Sequence, residues 1–379
     1  MDFRDTEQQA ELRQSIRAFC ATHCDSESEA AREQSEQYPA DLHRALAAAG
    51  LLGLGLPRDY GGGGLDLLAQ CIAFEELSRH SGAAANILFI NGVCGALVAA
   101  GGSPAQREAL LGPLCAGELR FAFALTESEA GSDLAGLSLT AQPRGEDYVL
   151  SGSKLYTTGA ADAHFLLTAA RSDAKAGPRQ GISLFLVPAD SAGLEITALP
   201  KLAGNEIASC RVAYRDVQVS SDARLGEANG AWSWLMLGGA LERLSVAASC
   251  LGLSRAILDA VLAHAAEREQ FGQPIGRFQA VQHRIADMSV RIEAMQWLVY
   301  AAAQAADLGA AAQRQICSAK LFAAENAQQI AQDGMRLLGG RAYFSDNPMQ
   351  RRLREALLAL YAGGTMEIQR NLIARSLGL

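Results

Sequence analysis

The stretch DYVLSGSKLYTTG at 147–159 decides the fold class. It reads as two short runs, DYVLSG and KLYTT, rich in β-branched and aromatic residues and punctuated by glycine and serine, as strands and their turns are. Runs of the same kind surround it: HFLLTAA at 164–170, ISLFLVP at 182–188, LEITAL at 194–199 and CRVAYRDVQV at 210–219. Together they predict a small antiparallel β domain that begins near residue 119 and has its last long strand near Val219. Upstream, the chain reads as helical. Thr6 and Gln9 have capping-box spacing, and Leu12, Ile16 and Phe19 follow at helical intervals. Alanine-rich amphipathic stretches continue to about residue 117, interrupted by LPRDYGGGGLD at 56–66. Four successive glycines require a loop there, either a plain helix connector or a wall near a pocket. Downstream of about residue 226 longer helices return. Val281, Ile285, Met288, Ile292, Met295 and Leu298 step as bundle helices do. Further helical runs cover 311–338 and the segment after 350. The order is α, β, α. It predicts an α+β chain with an N-terminal helical domain (1–118), a middle β domain (119–225) and a C-terminal four-helix-bundle domain (226–379).

A length of 379 residues favours two or three packed sub-domains. Hydrophobic residues at 49% and charged residues at 20% fit a soluble globular protein. The formal charge of −8 argues against a general nucleic-acid binder, because neutralising phosphates takes clustered Lys and Arg. It leaves room for a local basic pocket holding a phosphorylated cofactor. The eight cysteines are scattered. Cys20 and Cys24 flank His23, but a zinc site would need further ligands, and the six histidines show no spacing such as HExxH. Ordinary thiols in a reducing compartment are expected, and no metal. The polar, acidic start MDFRDTEQQAELRQ does not resemble a signal or transit peptide. The longest apolar stretches are expected to fall short of membrane-spanning length, broken by Gly, Asn or charge. The expectation is a cytoplasmic protein with no membrane partner.

Four segments carry chemistry: ALTESEAGSD at 124–133, SGSKLYTTG at 151–159, EREQFGQPIGRFQAVQHRIADM at 267–288, and RLLGGRAYFSDNPMQRRLREALLALYAGGTMEIQRNLIAR at 336–375. The first taken alone is a polar loop with many donors and no nucleophile–base pair. All four, in this order and over nearly the whole chain, resemble the acyl-CoA dehydrogenase family. The first is similar to the family's ALTEPGAGSD signature, and the third and fourth to its ER-x-x-FG and GT-x-EIQR elements. The resemblance implies the acyl-CoA dehydrogenase-like fold, bound FAD, and removal of hydrogen from the α and β carbons of an acyl group. It implies that Thr126 and Thr158 hydrogen-bond the flavin ring, at the atom that receives hydride, and that Tyr156 shields one ring face where relatives have Trp. Read alone, Tyr156 could be a half-buried strand aromatic. Ser132 is implied in cofactor and substrate binding. Arg268, Gln270 and Phe271 are implied to contact FAD of a neighbouring subunit, a guanidinium fork suiting paired phosphate oxygens. Arg268 could otherwise be a solvated helix end. Gly340, Thr365 and Glu367 belong to the C-terminal FAD elements. Arg336 stands where the family usually has Gln.

α,β-Dehydrogenation needs a carboxylate in a dry pocket to take the α proton. Many relatives place it in a YEGTSEIQR-like segment; the corresponding residue here is Gly363. The isovaleryl- and long-chain-type subset instead carries it on a bundle helix within an ERL sequence. LERLSVAASCLG at 241–252 supplies Glu242 at that position, followed by Arg243, which is implied in substrate binding. A solvated helix carboxylate is the alternative reading of Glu242. The backbone N–H of Gly363 is implied to hold the thioester carbonyl. The resemblance further implies an acyl-CoA substrate (or an acyl carrier protein in place of CoA), an electron-transferring flavoprotein as acceptor, a homotetramer, and a role in fatty acid or amino acid catabolism. Alternatives within the fold are a desulfinase, a reductase or a flavin oxidase.

Overall fold

The computed structural model describes residues 5–309 and 311–379; Met1–Arg4, inside the expected N-terminal domain, lie outside them. The helices of the first third are α1 (Glu7–His23), α2 (Ser26–Ser35), α3 (Ala40–Ala48), α4 (Leu67–His80), α5 (Gly82–Gly101) and α6 (Pro104–Cys115). The strands follow as β1 (Phe121–Ala124), β2 (Thr140–Arg144), β3 (Asp147–Thr158), β4 (Phe165–Arg171), β5 (Ile182–Pro188), β6 (Leu194–Leu199), β7 (Ser209–Val219) and β8 (Arg224–Leu225). Then come α7 (Trp232–Glu267), a two-residue-per-strand hairpin of β9 (Glu269–Gln270) and β10 (Gln273–Pro274), α8 (Gln279–Asp307), α9 (Gln313–Leu338), α10 (Pro348–Leu358) and α11 (Met366–Ser376). The expected order of helices, sheet and helices is present. Thr6 does cap α1, and its capping box with Gln9 is complete.

By contacts the chain divides into two compact units, one of Met1–Ala31, Asp66–Ala85 and Glu242–Leu379, the other of Arg32–Leu65 and Asn86–Leu241. The second unit holds the sheet, in the order β6-β7-β3-β2-β4-β5-β8, with β1 added beside β4. Pairing is antiparallel except for β1 and β2 against β4, which are parallel. DYVLSG and KLYTT, read as separate runs, form the single strand β3, with register shifts at Leu150/Gly152 and Lys154/Thr157. The largely apolar β4 and β5 are buried on both faces. Leu166, Ala170, Phe185 and Val187 meet Leu150 and Val212 on one side. Leu167, Ala169, Leu184 and Leu186 share the core of Leu97, Leu111 and Leu114 on the other.

In the first unit, α9 packs against α8, α10 and α11, and α4 against α1 and α8. Gly252 permits a further close approach, of α7 to α4: a Cβ there would stand 2.0 Å from the Glu75 carbonyl oxygen. The apolar stripe of α8 runs through Met288, Ile292 and Met295 as expected, then continues to Val299 and Ala303. Leu298 is exposed, because a 3.6-residue period places position 299, four on from 295, over the core. Two helices overturn the expectation that no apolar run reaches membrane length. α5 and α7 are long and apolar enough by composition, with mean hydropathies of 1.8 and 1.6, but 67% and 56% of those windows are buried within the protein, as in core helices.

Candidate active site

Within the first unit, one catalytic candidate is built from three elements. Glu242 sits on α7, and its Oε1 accepts a hydrogen bond of 3.0 Å from the backbone N–H of Gly363. Gly363 and Gly364 both have left-handed φ, +69° and +91°, which turns the chain sharply into α11. Thr365 caps that helix, its hydroxyl accepting from the Ile368 N–H at 3.3 Å. The peptides of the turn are held from the other side. Gln369 Nε2 donates to the carbonyls of Gly363 (2.9 Å) and Gly364 (3.0 Å), and Lys320 Nζ donates to Gly364 at 2.6 Å. Burial pushes the Glu242 carboxyl above the ordinary range, against the lowering pull of the Gly363 N–H, Arg243 and Lys320. Arg243 Nε is buried without a hydrogen-bond partner. The neighbours Glu242 and Arg243 are thus brought to Gly363, 121 residues further on from Glu242. The Gly363 N–H, expected to hold a thioester carbonyl, donates to the carboxylate.

In the second unit, a buried ion pair fastens the ALTE loop to β3. Lys154, 0% exposed, donates to Glu127 at 2.7 Å and to the Leu125 carbonyl at 2.9 Å. Glu127 also accepts from the N–H groups of Ser138 (2.7 Å) and Leu139 (3.0 Å). One residue further along each segment, the Leu155 N–H bonds the Thr126 carbonyl at 2.7 Å. Tyr156 follows with φ +58° at the bulge, and its ring is 66% exposed. It is not the half-buried strand aromatic of the simpler reading. A bulky residue at positive φ is a conformational cost that the surroundings must hold in place. Thr157 Oγ1 is buried without a partner, while Thr158 exchanges a 3.1 Å bond with Ser209. Ser132 is exposed on the loop.

The remaining candidates also lie in the first unit. Phe271 and Gly272, φ +51° and +79°, form the two-residue turn between β9 and β10, the geometry of a hairpin that needs two left-handed residues. The Phe271 ring is 92% exposed, and Arg268 and Gln270 beside it are exposed. Arg336 is exposed and ion-paired at 3.5 Å with buried Asp333, which also accepts from Arg284 and Arg291. Gly340 is exposed past the end of α9, and Glu367 is exposed in the first turn of α11. Sequence reading missed Lys320, Gln369 and the Glu127–Lys154 pair. A signal for the first existed: Ile316, Lys320, Ala323 and Ala327 lie on one buried stripe of α9, where a lone lysine stands out.

The known-protein comparisons match all three parts of one family: acyl-CoA dehydrogenase, N-terminal domain over residues 6–118, middle domain over 122–217, and C-terminal domain over 230–378. The chain belongs to the acyl-CoA dehydrogenase family. It is 35% identical over 375 residues to the mitochondrial isovaleryl-CoA dehydrogenase of Pongo abelii, covering 98% of this chain and 89% of that one. It is 33% identical to the 3-(aryl)acrylate reductase of Clostridium sporogenes, covering 91% and 92%. The butyryl-CoA dehydrogenase structure from Megasphaera elsdenii superposes with a TM-score of 0.95 at 28% identity, covering 100% of both chains. Acyl-CoA dehydrogenases are FAD-dependent oxidoreductases, and FAD is the cofactor of this chain. Its residues fit that group. Two aromatic rings, Tyr156 and Phe271, are held outward at strained backbone positions, and the buried Thr157 hydroxyl lacks a partner within the protein. Among the described residues no cluster of His, Cys, Asp or Glu could hold a metal ion.

Proposed function

We propose that the protein removes hydrogen from the α and β carbons of an acyl-CoA thioester, with Glu242 taking the α proton. The observation that carries this is the 3.0 Å bond between the Glu242 carboxylate and the Gly363 N–H. A carboxyl of raised pKa beside a backbone donor supports the two functions that α-proton removal next to a thioester carbonyl requires. Bound FAD supplies the acceptor for the β hydrogen, which leaves as hydride. The chain's own residues bind, orient and move the proton. Transfer of the Gly363 N–H from the carboxylate to the thioester oxygen would stabilise the enolate and free Glu242 to accept the proton. Arg243, with its unpartnered Nε, would fix the substrate or the base.

Thr126, Ser132, Tyr156 and Thr158 would hold the flavin end of FAD, and Arg268, Gln270, Phe271, Arg336, Gly340, Thr365 and Glu367 its remaining parts. A homotetramer, an electron-transferring flavoprotein as acceptor, a cytoplasmic location and domain limits at 118 and 225 complete the reading. The test is Glu242→Gln, which preserves shape but cannot accept a proton at neutral pH. FAD and acyl-CoA should still bind, while stopped-flow flavin reduction by a panel of saturated acyl-CoA thioesters falls by roughly 10²–10⁴-fold. Wild-type reduction by the variant would overturn the assignment. A second reading, reduction of an enoyl or arylacryloyl group with Glu242 returning the α proton, is favoured by the similarity to the C. sporogenes reductase. Oxidation of the reduced flavin by such an acceptor, faster than reduction by any saturated thioester, would bring it forward.

A further inference from the structure

Lys320 is among the largest fully buried side chains of the protein, at 0% exposure, on a helix that is otherwise alanine-rich on its inner face. A buried ammonium persists only where its charge and hydrogen-bonding capacity are used. One of its protons goes to the Gly364 carbonyl at 2.6 Å. That carbonyl and the one before it are also the acceptors of Gln369. Both C=O groups after Gly363 are therefore anchored toward α9 and α11, while the N–H before them points to Glu242. The two glycines have no side chains to stiffen the turn, so these anchors set the direction of the N–H.

We propose that Lys320 is a positioning residue for proton removal: it holds the Gly363–Gly364 turn so that the N–H faces Glu242, and it sets a buried positive charge behind the base. The inference rests on Glu242 being that base. The charged or titratable groups around the pair are Arg243 and Cys250 on α7, Cys317 on α9 and the exposed Glu367 on α11, which Lys320 also attracts; the turn and the rest of α11 contribute the Gly363 N–H and the neutral amide of Gln369. Burial lowers the lysine to about 8, with Cys250 and Glu242 opposing that shift, so it is mostly cationic at neutral pH. A cation there favours the ionised carboxylate. Removing it should raise the pH at which Glu242 becomes a competent base.

The experiment compares flavin reduction in FAD-loaded wild type, Lys320→Met, Lys320→Gln and Lys320→Arg from pH 6 to 9, using the saturated acyl-CoA that reduces the wild type fastest. Thermal unfolding is recorded for each. For Met and Gln the midpoint of the rising limb should move up by about one pH unit, with a rate about tenfold lower on the acid side. Above pH 8, where the wild-type lysine loses its proton, the difference should shrink. Arg should retain a midpoint near wild type. Profiles for Met and Gln that superimpose on wild type, with only a lowered Tm, would overturn the proposal; failure of all three variants to fold would do so as well, reducing Lys320 to a core residue. If Glu242→Gln is slow while the Lys320 profiles are unchanged, this inference alone falls. If Glu242→Gln keeps the wild-type rate, the base assignment falls first.

Discussion

The proposed base and its donor come from opposite kinds of backbone, a helix interior at Glu242 and a left-handed glycine at 363. A Cβ on Gly363 would meet the Cγ atoms of Glu242 and Arg243 at 3.5 Å, ordinary contact distance. Space therefore permits a side chain, and the +69° φ is what opposes one, at a cost of order 1–3 kcal/mol. Moving the carboxylate, as Glu242→Gly with Gly363→Glu, should recover part of the flavin-reduction rate lost in Glu242→Gly, while the Tm drops below that of the single variant. No recovery would mean that the two positions do not reach the same α carbon. The raised carboxyl also fixes a sign. The proton-removing form gains population as pH rises, so the rate should climb through a midpoint above the usual carboxylate range, and a pH–rate profile flat from 5 to 8 would contradict it.

At the scale of elements, the β9–β10 hairpin separates cofactor binding from stability. Phe271→Gly relieves a left-handed phenylalanine while removing a ring that buries almost nothing in the chain itself. The Tm of the apoprotein should hold or rise, while FAD affinity by titration falls several-fold; a lower Tm with unchanged FAD affinity would make the ring a structural part. The Glu127–Lys154 pair behaves differently. Lys154→Met strands a buried carboxylate and should cost about 3–5 kcal/mol in denaturant unfolding, with much of that returned by adding Glu127→Leu. Additive losses in the double variant would refute the coupling. The elements themselves were largely readable from sequence. β4 and β5 announce themselves by apolar runs, and α1 by its capping box. The continuity of β3 was not readable, because Gly152 and the polar residues around it resemble a turn, and a bulge absorbs them only when β7 is alongside.

For the whole molecule, the motifs carried the family and singled out Glu242 as the candidate base, since Glu242, Gly363 and the EIQR segment are local patterns. What a local pattern could not supply is the inward face of α9, where Lys320 meets a carbonyl 44 residues further on. All eight cysteines are free and buried, which makes the protein's alkaline limit predictable. Burial raises the thiols of Cys71, Cys94, Cys115, Cys210, Cys250 and Cys317, and a hydrogen bond between Cys20 and Cys24 joined by burial raises Cys20. The native state keeps these protons where the unfolded chain, near 9, gives them up, so stability falls as pH rises through that value. Lys154 and Lys320, both lowered to about 8, push the other way between about 8 and 10.5, since the unfolded chain holds those protons longer. Burial lowers Lys201 as well, and seven thiols against three lysines leave a net loss, so Tm should drop between pH 8.5 and 10; a constant or rising Tm would contradict it.

The Gly363 donor is a main-chain group. Of the twenty amino acids only proline would delete it, so single-base changes at that codon can bend the turn or crowd it but nearly always leave an N–H behind. Glu242 has no such insurance. Random mutagenesis should therefore find inactive but folded variants clustered at the proposed base, and graded, partly active ones at the anchors of the turn and at the donor itself. Half of this active site is written in side chains and can be erased by a single change. The other half is written in the path of the chain, and is lost only by displacing it.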